Sequence, residues 1–150
     1  MSPGSDSRQE VSEVQKRIVW ARSAGRCAAC QKLLTEGSLT RRDMMVGELA
    51  HIVGQKNSAG SPRGLSNMTN EERNSADNLI LLCAREHRES DRRVVVDLMD
   101  VDKLREMKRR HEEWVETVTG LSPEMSTVVV RMIVKDGRVV ATDRHDVVIT

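Results

Sequence analysis

The stretch Asn78-Leu79-Ile80-Leu81-Leu82-Cys83-Ala84-Arg85-Glu86-His87 decides how the chain is read. Leu79 to Leu82 is a short apolar run that suits a buried strand or one helical turn, and periodicity alone does not separate the two. A strand leading into Cys83 is the favoured reading. Beyond it, Arg85 to Arg92 is short and polar and predicts a helix. Upstream, Val46 to Val53 (Val-Gly-Glu-Leu-Ala-His-Ile-Val) predicts the strand that would partner it, and Gly54 to Asn70, rich in Gly, Ser, Asn and Pro, predicts a long loop between them. A loop of that length inside a compact domain is usually functional or mobile.

Outward from this centre, Val11, Val14, Ile18, Val19 and Ala21 recur at helical spacing between Gln9 and Ala24, with Ser23-Ala24-Gly25 as a stop. This helix delivers the chain to Cys27. Val101 to Thr119 predicts a longer helix with Val101, Leu104, Met107, His111, Trp114 and Val118 on one side, ended by Gly120. After Leu121-Ser122-Pro123 the β-branched runs Val128 to Val134 and Arg138 to Ala141, separated by Asp136-Gly137, predict a hairpin. An isolated hairpin is marginal in water, so it should pack on something: the main domain, a second copy or a further domain. The expected organisation is a disordered N-terminus over 1–8, a main domain over 9–120, and a linker with hairpin over 121–150.

The 150 residues are 38% hydrophobic and include no Phe or Tyr, so the core must come from Val, Leu, Ile, eight Met and two Trp. A core so thin in aromatics would be helped by a metal crosslink. The 24 basic and 23 acidic residues nearly cancel, which excludes a generic polycation and requires any nucleic-acid site to be a local patch. Met1 to Glu10 lacks the apolar core of a signal peptide, and no stretch approaches the roughly 18 apolar residues of a membrane span. A cytoplasmic location is expected. The three cysteines are an odd number, and Cys27-Ala28-Ala29-Cys30 has a spacing that suits a metal ion better than a disulfide framework.

Four features follow one another in order: Cys27-x-x-Cys30, Glu48-Leu49-Ala50-His51-Ile52, the Asn78 to Cys83 run, and His87-x-x-x-Asp91. Each alone is weak. Two cysteines can be buried thiols, one histidine on a strand is commonly a core or surface residue, and His-x-x-x-Asp is commonly a solvated helix pair. Together, at spacings that let two metal sites share one hairpin and helix, they resemble the HNH nucleases. The resemblance runs from about Ile18 to Asp91 and is nearest to the HNH domains that precede a cyclic-oligonucleotide sensor in bacterial antiphage effectors, on Ala50-His51-Ile52, Ser61-Pro62-Arg63-Gly64 and the Asn78 to Cys83 run. It implies an α+β fold: a ββα-metal core with a zinc knuckle, flanking helices and the C-terminal hairpin.

The resemblance further implies an endonuclease of low sequence specificity, gated by a sensor domain or partner and acting as a homo-oligomer. His51, with an ordinary pKa of about 6.5, would take the proton from the attacking water. Asn78 would brace the loop carrying His51, and His87 with Asp91, one helical turn later, would hold a catalytic Mg²⁺ or Mn²⁺. Cys27, Cys30 and Cys83 would bind a structural Zn²⁺, with Glu86 as a candidate fourth ligand. His87 closing the zinc site instead is the alternative, and it leaves no catalytic ion there. Related nucleases often carry Asp or His where this chain has Ala50, so either water or Glu48 would fill that ligand place. Strand alternation puts Glu48 on the face opposite His51.

Basic residues near the proposed site, Lys56, Arg63, Arg73, Arg85, Arg88 and Arg92, are the candidate contacts to double-stranded DNA. Without an aromatic platform, backbone contact to a duplex is favoured over base stacking on a single strand. The competing reading is a zinc-stabilised DNA-binding module that keeps the fold and has no catalytic site. Ala50 and Glu86 support it. A restriction or homing enzyme would need a specificity module that is not evident in the chain.

Overall fold

The computed structural model describes residues 10–120, 131–135 and 138–143. It divides the chain into two compact units, Met1–Val115 and Glu116–Thr150. In the first, α1 (Glu13–Arg22) is capped by Ser12, whose side chain accepts the Gln15 N–H. It stops where the chain turns left-handed, with φ +49° at Ala24 and +65° at Gly25, and the Gly25 N–H returns to the Trp20 carbonyl. The Cys27 to Cys30 turn follows at once. It is closed by Gln31 N–H to the Cys27 carbonyl and Cys27 N–H to the Lys32 carbonyl, both 2.9 Å.

The strands β1 (Gly47–His51) and β2 (Leu79–Cys83) pair antiparallel, Gly47 opposite Cys83 and His51 opposite Leu79. Between them lie α2 (Asn70–Arg73), with a capping box formed by Thr69 and Glu72, and a short 3-10 turn, Ala76–Asn78. β2 is buried from Leu79 to Leu82, which explains the unbroken apolar run, because α1 and α3 (Ala84–Ser90) both pack on it. The Ala28 N–H donates to the Leu81 carbonyl at 2.9 Å, fastening the cysteine turn to the same strand. Val19, Leu34, Ala50, Ile52, Leu79 to Leu82 and Leu104 form the core. The fold is thus a small mixed α+β domain.

β1 is shorter than the sequence predicts. After His51 the Ile52 N–H turns to the Asn78 carbonyl and the Val53 N–H to the Asn78 side chain, each at 2.9 Å, so the chain leaves the ladder. The helix α4 (Val101–Thr119) has the predicted span, but its inward face is shifted to Leu104, Lys108, His111 and Val115. Trp114 and Val118 are exposed. Lys108 is tolerated inside because its ammonium pairs with Glu112 and its stem packs as hydrocarbon. His111 is a satisfied core histidine: its two ring nitrogens meet the Gln31 amide and the Ser23 carbonyl, both at 3.1 Å.

In the second unit, β3 (Arg131–Lys135) and β4 (Arg138–Asp143) pair antiparallel, with an irregularity between Ile133 and Val134. The expectations for 1–8, for the linker and for strand residues 128–130 lie outside the described residues.

Two arginines assigned to DNA do something else. Arg73 is wholly buried and donates to the carbonyls of Gly54, Gly64, Ser66 and Met68. Arg63, its side chain 5% exposed, donates to the carbonyls of His51, Ile52, Ser90 and Met99 and to Asp91. Neither guanidinium is free to meet a phosphate. They tie down the long loop, which also needs glycine at close approaches: a Cβ on Gly54 would lie 2.4 Å from the Pro62 carbonyl oxygen, and one on Gly64 2.4 Å from that of Ser58.

Arg73→Met should therefore lower stability by about 3–5 kcal/mol, because it strands buried carbonyls, and Arg73→Lys should recover little, since one ammonium cannot span the same acceptors. Urea unfolding measures this. A loss no larger than that of exposed Arg93→Ala would contradict the clamp.

Candidate metal centre

Cys27, Cys30 and Cys83 come together where the cysteine turn meets the end of β2. One sulfur from each lies within 4.8 Å of the others, and Cys30 and Cys83 are 4.0 Å apart. Cys27 is buried, Cys83 half-buried and Cys30 exposed. Burial would raise the Cys27 thiol, but the backbone N–H groups of Cys30, Cys83 and Ala29 outweigh it and hold the thiol below its ordinary value. Cys30 is pushed up to about 11, first by burial and then by the neighbouring Cys27 and Cys83 sulfurs. Thiolates this close repel, and a soft cation bound to all three would reverse the sign of that interaction. The donor set fits a thiophilic ion.

Glu86 does not join them. It stands on the first turn of α3, with Oε1 3.9 Å from Arg85 Nε, and is outside the group of converging ligand atoms. His87 does not close the cluster either. Its Nδ1 is 2.7 Å from Glu48 Oε2 and its Nε2 3.3 Å from Asp91 Oδ2. Glu48 thus reaches α3 from the strand face opposite His51. The other Asp91 oxygen is held by Arg63 at 2.5 Å.

The expectation of a hydrolytic site is overturned by the ligand set. Glu48 and Asp91 take opposite nitrogens of the His87 ring, so Glu48 does not complete an ion site with His87 and Asp91. Among the described residues, the only group of three or more His, Cys, Asp or Glu ligands is the cysteine cluster, and it contains no histidine. The endonuclease reading is corrected accordingly, as is the separate catalytic Mg²⁺ or Mn²⁺ that would have served it.

His51 is half-buried, with Nε2 3.0 Å from Asn74 Oδ1. Asn78, buried, accepts the Val53 N–H and donates to the Val53 and Arg73 carbonyls at 2.8 and 2.9 Å. It splices the end of β1 to the start of β2. Asn74 escaped the sequence reading because an asparagine just after a short polar helix looks like any helix end. Arg85, Arg88, Arg92 and Lys56 are exposed, the first three on or just after α3. Among the described residues no helix is long and apolar enough to cross a membrane.

The two histidines should titrate apart. His87 is raised, chiefly by its hydrogen bond to Asp91 and further by Glu48, against the opposing effect of burial. His51 is lowered, chiefly by burial, against its bond to Asn74. Asp91 is lowered because its bonds to His87 and Arg63 outweigh burial. The His87 contribution to stability is complete below about pH 6.5 and fades as pH rises through the raised value. That of Asp91 is present above about pH 4 and fades as pH falls, so the pair is strongest between those limits. Imidazole NMR titration should place His87 above and His51 below about 6.5, with Asp91→Asn bringing His87 down; the reverse order would refute the network. No family model matches this chain, and no curated protein matches it. The geometry alone therefore describes it: a small α+β domain with a three-cysteine cluster able to hold a metal ion.

Proposed function

We propose that this chain is a non-catalytic, zinc-stabilised DNA-binding module on a ββα-metal scaffold. The observation that carries the reading is the composition and place of the metal-capable group. It is all cysteine, and it joins the Cys27 to Cys30 turn to the end of β2, immediately before the helix that exposes Arg85 and Arg88. Thiolate donors favour Zn²⁺, which when bound supplies a crosslink between the cysteine turn and β2. Arg92 and Arg93 follow at the end of the same helix, and Lys56 lies on the loop. These cations suit the phosphates of a duplex, with little dependence on base sequence.

One equivalent of zinc is expected per chain, measured by metal analysis of the purified protein. Cys83→Ser should release it and lower the melting temperature, since ion binding and folding are linked. Retention of both in that variant would refute the crosslink.

Duplex binding, followed by anisotropy, should weaken linearly in log salt with a slope near −0.9 per phosphate neutralised; replacing Arg85, Arg88 and Arg92 together by Ala should reduce that slope by up to about 3. A salt-independent affinity, or an unchanged slope, would sink the assignment of these residues. Plasmid DNA should stay intact with the protein in Mg²⁺ or Mn²⁺. Metal-dependent scission that disappears in His51→Ala would overturn the non-catalytic reading.

A further inference from the structure

The three sulfurs supply three corners of a tetrahedron. With metal to sulfur bonds of about 2.3 Å, tetrahedral angles separate two ligand sulfurs by about 3.8 Å, close to the 4.0 Å between Cys30 and Cys83. The fourth corner has no side-chain donor: among the described residues, no His, Asp, Glu or further Cys brings a ligand atom into the group. Glu86, placed by spacing to do so, instead faces Arg85 and lines a small cavity with Ala29, Leu82 and Met107. Cys30 is exposed while Cys27 is buried, so the cluster opens to solvent on the Cys30 side.

Resting on the metal-site reading above, we propose that the ion held by Cys27, Cys30 and Cys83 keeps its fourth coordination position open to solvent, and that this position accepts an exogenous low-molecular-weight thiol. A thiol matches the softness of the three ligands present. The exchange is a substitution without redox change: the thiol gives its proton to solvent, a metal to sulfur bond forms, and the water at that position leaves.

The test uses the full chain with cobalt(II) exchanged into the cysteine site and 2-mercaptoethanol as the probe. In the wild type the thiolate-to-cobalt charge-transfer band should grow by about one third on addition of the thiol, as three metal to sulfur bonds become four. Glu86→Ala should behave the same way. Growth only in Glu86→Ala would show that Glu86 closes the site, and no growth in either protein would show that another group does; both outcomes overturn the inference and leave the metal site standing. Absence of any thiolate charge-transfer band after cobalt addition would overturn the metal-site reading itself, and this inference with it.

Discussion

The proximity of three thiols drawn from two distant parts of the chain is the constraint on which the rest of the structure depends. Cys27 and Cys30 sit on a turn just after α1, and Cys83 ends β2. With no Phe or Tyr in the sequence, the core around them is aliphatic, and a small aliphatic core supplies only a modest surplus over chain entropy. The backbone bond from Ala28 to Leu81 sets the approach, and the cysteines convert that approach into a potential crosslink. Without a cation, the same geometry concentrates negative charge as the thiols ionise. An ion bound at this junction, which also sets the start of α3, would couple metal binding to folding.

A second device acts on the loop between the strands. Arg63 and Arg73 turn their guanidinium groups inward and gather carbonyls that regular secondary structure leaves unpaired. A planar group with five donors can satisfy several such acceptors from different segments at once. The loop is ordered by this means rather than by apolar packing, consistent with its polar composition. Asn78 completes the arrangement by joining the ends of both strands, and the positions of His51 and Asn74 follow from it.

Much of the framework was legible in the sequence. The span of α4 carries a helical period, the short apolar run at Leu79 marks a buried element that periodicity alone leaves as strand or helical turn, and the Cys-x-x-Cys spacing points to a metal because three cysteines cannot all pair. The inward arginines were not legible, since charge is ordinarily a surface signal and the carbonyls that recruit Arg63 and Arg73 belong to a loop with no periodicity. The inward face of α4 was misjudged for the same reason. Lys108 is buried with a polar partner on Glu112, whereas a reading by hydropathy prefers Trp114 and Val118; Leu104 and His111 face inward as expected.

The order of motifs along a chain constrains topology more tightly than it constrains electrostatics. His51, His87 and Asp91 occupy the places that their spacing implies on β1, on α3 and at its end. What this chain does with them depends on two further groups, Glu48 and Arg63. Glu48 takes one nitrogen of His87 and Asp91 the other, while Arg63 holds the remaining Asp91 oxygen. A carboxylate already balanced by a buried guanidinium and an imidazole gains less from a divalent ion than a free one does, because most of its charge is compensated before the ion arrives. The sulfurs of the cysteine cluster have no such compensation beyond a few N–H dipoles. Between the two clusters, a thiophilic ion is therefore drawn to the one whose repulsion it relieves, and the histidine cluster is left to close the β1 and α3 junction as a hydrogen-bonded network.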